Sequence, residues 1–296
     1  AKKINSYLTE DHLPLLKEYS IFCLVKDFSP FLTPEIRDST IAWNNTQKGV
    51  QGKKTDKKLA AELVQNTFGF EFGRLYTEND LVKAGCGDCQ GCSACCRGMG
   101  ESIVLDPYDL YRMTAGLKRT PQQLLAENLE LNVVDGIILP NLGMKGETES
   151  CSFLNEDGRC SIHPYRPGIC RLFPLGRCYE DGCFTYFLQV HECRKENRTK
   201  VKVRKWIDTP DAVRYDQYIT EWHYFLKGLQ EKLREREESA SQEAGEQTRS
   251  WEQDVREISM YVLQNFYLTA YLPDGGFYEE FYRRLQAAQQ WAAGNK

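Results

Sequence analysis

The sequence predicts an α+β fold, in which small hairpins and loops occupy the middle of the chain and helices supply the core at both ends. Asp-Gly pairs, which favour tight hairpin turns, recur between short extended runs from residue 133 to residue 183. In the last third, apolar residues step at three and four, the spacing of an amphipathic helix. We expect three parts: an N-terminal packing arm at 1–76, a cysteine-rich domain at 77–207 and a helical region at 208–296.

Local signals place the elements of the first two parts. Asp106-Pro107 and Thr120-Pro121 each put a capping residue before proline, the pattern of a helix start. The predicted elements are a helix near 57–68, a helix start at 77–80, a short strand at 103–105, helices at 108–117 and 122–131, and extended structure at 133–144 with a turn at Asp135-Gly136.

The C-terminal region is predicted to be helical throughout most of its length. Asp208-Thr209-Pro210 starts a long helix. A polar stretch at 239–247 predicts a linker, and two further helices follow at 251–266 and 277–291. The apolar stripe of the first helix comprises Val213, Tyr218, Ile219, Trp222, Phe225, Leu226, Leu229 and Leu233. We interpret these aromatic stripes as core, since that is the usual meaning of helical spacing.

Charge and hydropathy exclude some classes of partner. The chain has 38 basic and 42 acidic residues, so it lacks the broad positive field of a nucleic-acid-binding protein. A basic run at 194–205 predicts a solvated face, with docking of an acidic partner as the alternative. No apolar stretch approaches the roughly 20 residues of a membrane span, and the first residues lack the apolar core of a signal peptide. We therefore expect a cytoplasmic protein.

The cysteines carry the strongest chemical signal. Eleven of the twelve lie between residues 86 and 193, and they begin with Cys86-x-x-Cys89-x-x-Cys92-x-x-Cys95-Cys96. A thiol at every third residue lets successive sulfurs surround one centre, as in the cysteine loops of iron–sulfur proteins. In a reducing compartment, clustered thiols are more often metal ligands than disulfides. We predict a metal-binding domain; disulfides are the less favoured alternative.

The number of thiols favours iron–sulfur chemistry over zinc. Four-cysteine sites accept either tetrahedral zinc or an iron–sulfur cluster. Eleven clustered thiols supply two such sites with three left over, and the triple repeat differs from the paired knuckles of zinc sites. We expect one or two clusters, of the 4Fe-4S type, with zinc as the alternative. The adjacent Cys95 and Cys96 either serve two centres or divide between ligation and packing.

A family resemblance follows from three ordered motifs. They are Cys95-Cys96-Arg97, Cys151-x-Phe153-Leu154 and Arg166-Pro167-x-x-Cys170-Arg171-x-Phe173-Pro174. In this combination, over residues 86–193, the sequence resembles the YkgJ-type cysteine-cluster family, a zinc- or iron-chelating domain related to flagellin lysine N-methylase. The resemblance implies a ligand role for Cys89, Cys92, Cys95, Cys96, Cys151, Cys160 and Cys170. His163 stands where the family commonly has Tyr, so the resemblance gives it no ligand role.

Four more cysteines and three arginines complete the candidate site. Cys86, Cys178, Cys183 and Cys193 are additions to the family pattern that we include among the metal ligands. Arg97, Arg166 and Arg171 lie beside proposed ligands, where guanidinium groups offset thiolate charge or bind a cofactor; for Arg166 and Arg171 the alternative is that they hold loop carbonyls. His191 is a weaker candidate ligand, and Cys23 is predicted to be a buried thiol outside the site.

Three functions fit these observations. The first is an iron–sulfur protein with a redox role or, as the resemblance implies, transfer of a methyl group from S-adenosylmethionine to a protein lysine. The second is a non-catalytic electron-transfer or metal-handling protein. The third is a zinc-stabilised structural module. In the first two cases we expect a protein substrate or redox partner to dock on the helical flanks. The sequence identifies no catalytic residue.

Overall fold

The structure is a computed structural model that describes residues 74–87, 89, 92–190, 192–242, 246–272 and 276–294. The predicted N-terminal arm, its helix near 57–68 and Cys23 lie outside these residues. The described chain forms two compact units, one containing residues 74–84 and 174–203 and the other the described parts of 85–173 and 204–294. The three-part division at 76 and 207 stays a prediction.

The first unit is built from short paired strands. Strand β1 pairs with β8, and β6 pairs with β7 in an antiparallel hairpin that turns at Asp181-Gly182, where a turn was predicted. Tyr76 and Tyr186 exchange two backbone hydrogen bonds of 2.8 and 2.9 Å, which joins the start of the described chain to β7. The strands are β1 Leu81–Gly85, β6 Leu175–Glu180, β7 Cys183–Leu188 and β8 Thr199–Lys202.

The second unit combines small hairpins with helices. Its strands form antiparallel pairs, β2 with β3 and β4 with β5. Its elements are, in chain order, a 3-10 helix Ala94–Cys96, α1 Pro107–Leu117, α2 Pro121–Glu127, β2 Leu129–Val134, β3 Ile137–Leu142, β4 Met144–Lys145, β5 Ser150–Cys151, a 3-10 helix His163–Tyr165, α3 Gly168–Leu172, α4 Val203–Ile207, α5 Ala212–Gln242, α6 Glu246–Val262, a π-helical turn Leu263–Leu268 and α7 Phe277–Gly294.

The core of the second unit is aromatic. Tyr218 of α5 packs edge-on against Phe281 of α7 with ring centroids 4.5 Å apart, and Tyr108 of α1 contacts Phe277 at 5.0 Å. Trp222 packs against Phe266 at 4.9 Å. Offset and edge-on pairs of this kind stabilise a core beyond the area they bury. The architecture confirms the predicted α+β class and the helical C-terminal third.

The predicted caps are present, with their side chains in place. Asp106 accepts a hydrogen bond from the backbone amide of Asp109, and the carboxylate of Asp109 accepts one from the amide of Asp106. At α2, Thr120 accepts from the amide of Gln123, and the side chain of Gln123 accepts from the amide of Thr120. The helix predicted at 122–131 is too long, because α2 ends at Glu127 and the next residues pair with β3 from Leu129 onward.

Three other local predictions are wrong. Residues 77–80 form a turn, closed by Asp80 accepting the amide and hydroxyl of Thr77, and lead into strand β1 instead of a helix. Val213 is 82 % exposed, since it lies in the first turn of α5. Of the linker predicted at 239–247, the described residues are helical, because α5 continues to Gln242 and α6 begins at Glu246; residues 243–245 lie outside the described chain. Among the described residues, no helix combines the length and apolarity needed to cross a membrane.

Candidate metal centre

The cysteine loop opens with two thiols in contact. The Sγ atoms of Cys86 and Cys89 lie 3.4 Å apart. Cys89 has a φ of +56°, in the left-handed region that non-glycine residues rarely occupy, and its carbonyl accepts the amide of Cys92 at 3.1 Å. Residues 88, 90 and 91 of the loop lie outside the described chain. The loop then enters the 3-10 helix that carries Cys95 and Cys96.

A backbone bridge aligns this loop with the second cysteine segment. Arg97 and Ser150 form an antiparallel bridge, and the amide of Gly98 donates to the carbonyl of Glu149 at 3.0 Å. In antiparallel register the residue before Arg97 faces the residue after Ser150, which places Cys96 opposite Cys151. The two cysteines are 55 positions apart in the sequence, and the bridge brings their backbones together.

The turn at Asp157-Gly158 brings Cys160 back toward the same place. Leu154 and Cys160 form an antiparallel bridge, closed by a 2.9 Å hydrogen bond from the amide of Asn155 to the carbonyl of Arg159. Gly158 has a φ of +71°, which the turn requires. The predicted hairpin is therefore present.

Cys170 reaches the site from helix α3. Pro164 lies in the 3-10 helix before α3, and Pro167 precedes its first residue. The amide of Gly168 donates to the carboxyl of Asp109 at 2.6 Å, which ties the start of α3 to the start of α1. Cys170 thus sits on a short helix that is anchored to the aromatic core.

The thiols from these three segments act on one another electrostatically. Burial raises the pKa values of Cys151, Cys160 and Cys170, and the charge of Cys95 raises each of them further. Cys151 and Cys160 also act on Cys96 and on Cys170. The structure therefore brings together thiols from the cysteine loop, from the hairpin that turns at Asp157-Gly158 and from α3.

Within the loop, the thiol pKa values diverge. A hydrogen bond from Cys96 lowers the pKa of Cys95 to about 7, and the same contact raises the pKa of Cys96. Burial and the neighbouring Cys86 raise the pKa of Cys89 to about 12. Cys95 is thus the thiol of this group that ionises most readily, as expected for a thiolate held by a donor.

Arg166 supplies positive charge to the cluster. Its guanidinium lowers the pKa values of Cys89, Cys95 and Cys160, although the larger effects named above outweigh it at Cys89 and Cys160. Its Nη1 atom donates to Nε2 of His163 at 2.5 Å. Because a guanidinium only donates, this contact occupies the lone pair of Nε2 and keeps that atom from acting as a ligand while the bond persists.

The other two predicted arginines have mainly structural contacts. Arg97 hydrogen-bonds the hydroxyls of Ser93, Thr148 and Ser150 and is exposed. Arg171 is 4 % exposed and donates through Nη1 to the carbonyl of Arg166 at 3.1 Å, as the loop-holding alternative predicts. Of the three, Arg166 has the electrostatic effect on the thiols.

The remaining candidates lie elsewhere. Cys178 is buried and Cys183 is exposed; they and Cys193 belong to the first unit. In the hairpin register Cys178 lies opposite Thr185, and Cys183 lies opposite Glu180. His191 lies outside the described residues. The ligand assignments of all these residues stay predictions.

The donor set suits a thiophilic metal. Several half-buried thiols lie within electrostatic reach of one another, and holding them as thiolates requires nearby positive charge. Arg166 provides one such charge, and a thiolate-bound metal provides more. In the described part of the chain, no three His, Cys, Asp or Glu side chains stand in a geometry that could hold a metal ion. The fit therefore lies in the chemistry and clustering of the thiols.

Comparison with known families agrees with this chemistry. Residues 88–206 match the CxxCxxCC family, described as "Putative zinc- or iron-chelating domain". This segment resembles a metal-chelating domain. The match confirms the predicted resemblance over less than half of the chain and supports metal binding, by zinc or iron, as the role of the segment. No curated protein and no solved structure matches the chain.

Sequence reasoning missed the residues that anchor helix α3, on which Cys170 lies. Asp106 accepts hydrogen bonds from the hydroxyls of Tyr218 at 3.0 Å and Tyr215 at 3.3 Å, and its partner Asp109 holds Gly168. The only sequence signal was the helix cap at Asp106-Pro107. A cap predicts the local hydrogen bond and carries no information about the long-range partners.

Proposed function

We propose that this protein is an iron–sulfur protein of the 4Fe-4S type whose cluster is held by cysteines of residues 85–173, and that it has a redox role. The observation that carries the proposal is the convergence of thiols from the loop, the hairpin and α3. Six cysteines take part in it through their charges: Cys89, Cys95, Cys96, Cys151, Cys160 and Cys170.

The number of interacting thiols favours iron and sulfide over a single zinc ion. A structural zinc site is closed by four ligands, and further thiols beside it have no metal to neutralise them. Six exceed that requirement, whereas a cluster with several irons distributes more positive charge over the site. Zinc is the competing candidate, because the family description names it beside iron.

The chain's own residues would tune such a group by charge and hydrogen bonding. Arg166 lowers the pKa values of three thiols and thereby favours their ionised, ligating form. The bridge between Arg97 and Ser150 fixes the separation of Cys96 and Cys151. When bound, an iron–sulfur cluster supplies one-electron transfer at a potential set by these surroundings.

The role of the cluster determines the partner. In a redox role, we propose that a protein redox partner docks on the helical flanks. The resemblance to flagellin lysine N-methylase makes a methylase-like role the alternative, and binding of S-adenosylmethionine to the anaerobic protein would separate the two. Equilibrium dialysis with radiolabelled S-adenosylmethionine measures this directly: saturable binding favours the methylase-like role, and its absence favours electron transfer.

The proposal is tested by metal and sulfide analysis of protein purified without oxygen. We expect about four iron and four acid-labile sulfide per chain, with a broad absorption near ~400 nm that dithionite bleaches. Stoichiometric zinc without sulfide would replace this proposal by a zinc module, and protein without metal would refute metal binding altogether.

Two cysteine variants locate the centre. Cys160→Ser removes a half-buried thiol of the cluster. The proposal leaves Cys183, an exposed thiol of the other unit, out of the cluster, in contrast to the sequence-based prediction, so Cys183→Ser is the control. We expect iron and sulfide to fall sharply in Cys160→Ser and to stay at the wild-type amount in Cys183→Ser. Equal loss in both variants would contradict the placement of the cluster within residues 85–173.

A further inference from the structure

The contact between Cys86 and Cys89 lies at the edge of the family segment. Their Sγ atoms are 3.4 Å apart, within reach of each other after a small rotation of either side chain. Both residues are partly exposed, so a small oxidant can approach them. Cys89 lies within the matched residues 88–206, whereas Cys86 precedes them. The pair therefore joins a thiol of the family motif to one that the motif does not require.

Two residues with left-handed backbone accompany this contact. Gly87, which follows Cys86, and Cys89 itself have φ angles of +63° and +56°. A Cβ atom at Gly87 would meet no atom within 4 Å, so the glycine serves the backbone angle and not a close approach. Cys89 adopts the same region at a conformational cost, which the loop sustains in order to place its thiol.

We propose that Cys86 and Cys89 form a reversible disulfide that withdraws Cys89 from the metal centre and thereby makes metal retention depend on redox conditions. The disulfide is a modification site defined by the contact of the two thiols. Its effect on metal rests on the proposed function, since it requires Cys89 to be a ligand. Cys86 then acts as a resolving thiol and not as part of the ligand set.

The chemistry balances with a low-molecular-weight disulfide as oxidant. The Cys86 thiolate attacks one sulfur of the oxidant, whose S–S bond breaks and releases one thiolate. Cys89, as its thiolate, then attacks the Cys86 sulfur of the mixed disulfide, and the second small thiolate leaves. In total the two protein thiols lose two electrons and two protons, and the oxidant becomes two thiols. Dithiothreitol reverses the exchange.

The test exposes anaerobically purified, metal-loaded protein to oxidised glutathione and follows two quantities. Peptide mapping by mass spectrometry reads the Cys86–Cys89 link as the loss of two hydrogens. Metal analysis after desalting measures how much metal stays bound to the protein. We expect wild-type protein to form the link and lose most of its metal, and dithiothreitol with fresh metal to restore it. Cys86→Ser should keep its metal under the same oxidant, while Cys183→Ser, the matched control, should behave like wild type.

Each contrary result is distinct. A disulfide elsewhere, or none, overturns the modification site. A Cys86–Cys89 link in protein that keeps its metal overturns the release, and so does metal loss from oxidised Cys86→Ser at the wild-type rate. If the reduced Cys86→Ser variant contains no metal while Cys183→Ser is loaded, Cys86 is itself a ligand. This result also overturns the proposal. If the reduced wild-type protein contains no metal, both the proposed function and the proposed release of metal are contradicted. Peptide mapping then still shows whether the Cys86–Cys89 disulfide forms.

Discussion

The hydroxyl of Tyr218 offers a quantitative test of how the metal-binding segment is anchored to the helical core. Tyr218 is fully buried on α5, and its hydroxyl donates to Asp106 at 3.0 Å while accepting the amide of Tyr108 at 3.0 Å. That amide lies in the first turn of α1, where no carbonyl of the helix is available to it. Tyr218→Phe removes both contacts and leaves the ring in place.

The expected change in the free energy of unfolding follows from the polar groups that lose a hydrogen-bond partner. A buried amide that loses its acceptor costs about 1–3 kcal/mol, and a lost hydrogen bond to a carboxyl about 1.5–3 kcal/mol if the carboxyl is charged. Asp106 keeps the amide of Asp109 at 2.8 Å, which offsets part of the second cost. We therefore expect Tyr218→Phe to lower the free energy of unfolding by about 2–4 kcal/mol.

Tyr215→Phe is the matched control. Its hydroxyl donates to the other oxygen of Asp106 at the longer distance of 3.3 Å, so its removal should cost only about 0.5–1.5 kcal/mol. Urea denaturation followed by tryptophan fluorescence and circular dichroism, with metal content matched, measures both values by linear extrapolation. A cost below about 0.5 kcal/mol for Tyr218→Phe, or a larger cost for Tyr215→Phe, would refute this account of the network.

Three further predictions concern the same unit. Burial and the charge of Asp106 raise the pKa of Asp109 from 3.8 to about 7. Between these pH values the native state holds a proton on Asp109 that the unfolded state has released. The free energy of unfolding should therefore fall with rising pH, by up to about 1.4 kcal/mol per pH unit. The free energy of unfolding, measured with urea at each pH in wild type and in Asp109→Asn, isolates this slope as the difference between the two proteins. If Asp109→Asn shows the same pH dependence as wild type, the prediction is contradicted. Gly168→Ala places a Cβ in steric conflict with the hydroxyl of Tyr215, so we expect lower stability and less bound metal than in Gly228→Ala, whose Cβ meets no atom within 4 Å. Equal behaviour of the two variants would show that α3 moves freely. Removing metal with a chelator under reducing conditions should lower the unfolding temperature, because the clustered thiols lose their neutralising charge; a temperature unchanged to within error in calorimetry would argue against a structural contribution of the metal.

Local sequence signals predicted those features that depend on neighbouring residues. The caps at Asp106 and Thr120 and the three Asp-Gly turns appear where the sequence places them, because a cap or a tight turn is decided within about four residues. The same reasoning extended α2 too far. The helical propensity of its last residues could not reveal that Leu129 and its neighbours find strand partners in β3.

Errors at the ends of elements have a similar cause. Residues 77–80 contain the residue types of a helix start, yet Asp80 closes a turn on Thr77, and the next residues alternate between exposed and buried as a strand. Val213 fits the helical spacing of α5 but is exposed, since the first turn of the helix extends beyond the core that covers the following turns. Periodicity gives the phase of a helix face, and only packing shows how far that face is covered.

The sequence by itself determined the cysteine segment that resembles a metal-chelating domain, because the order and spacing of the thiols are a covalent property of the chain. Only the tertiary structure decided which thiols meet. The bridge between Arg97 and Ser150 aligns residues about fifty positions apart, and the hold of Asp109 on Gly168 joins two helices from separate parts of the sequence. Such contacts form because burial leaves each polar group a few available partners, a condition that exists only once the segments are packed together.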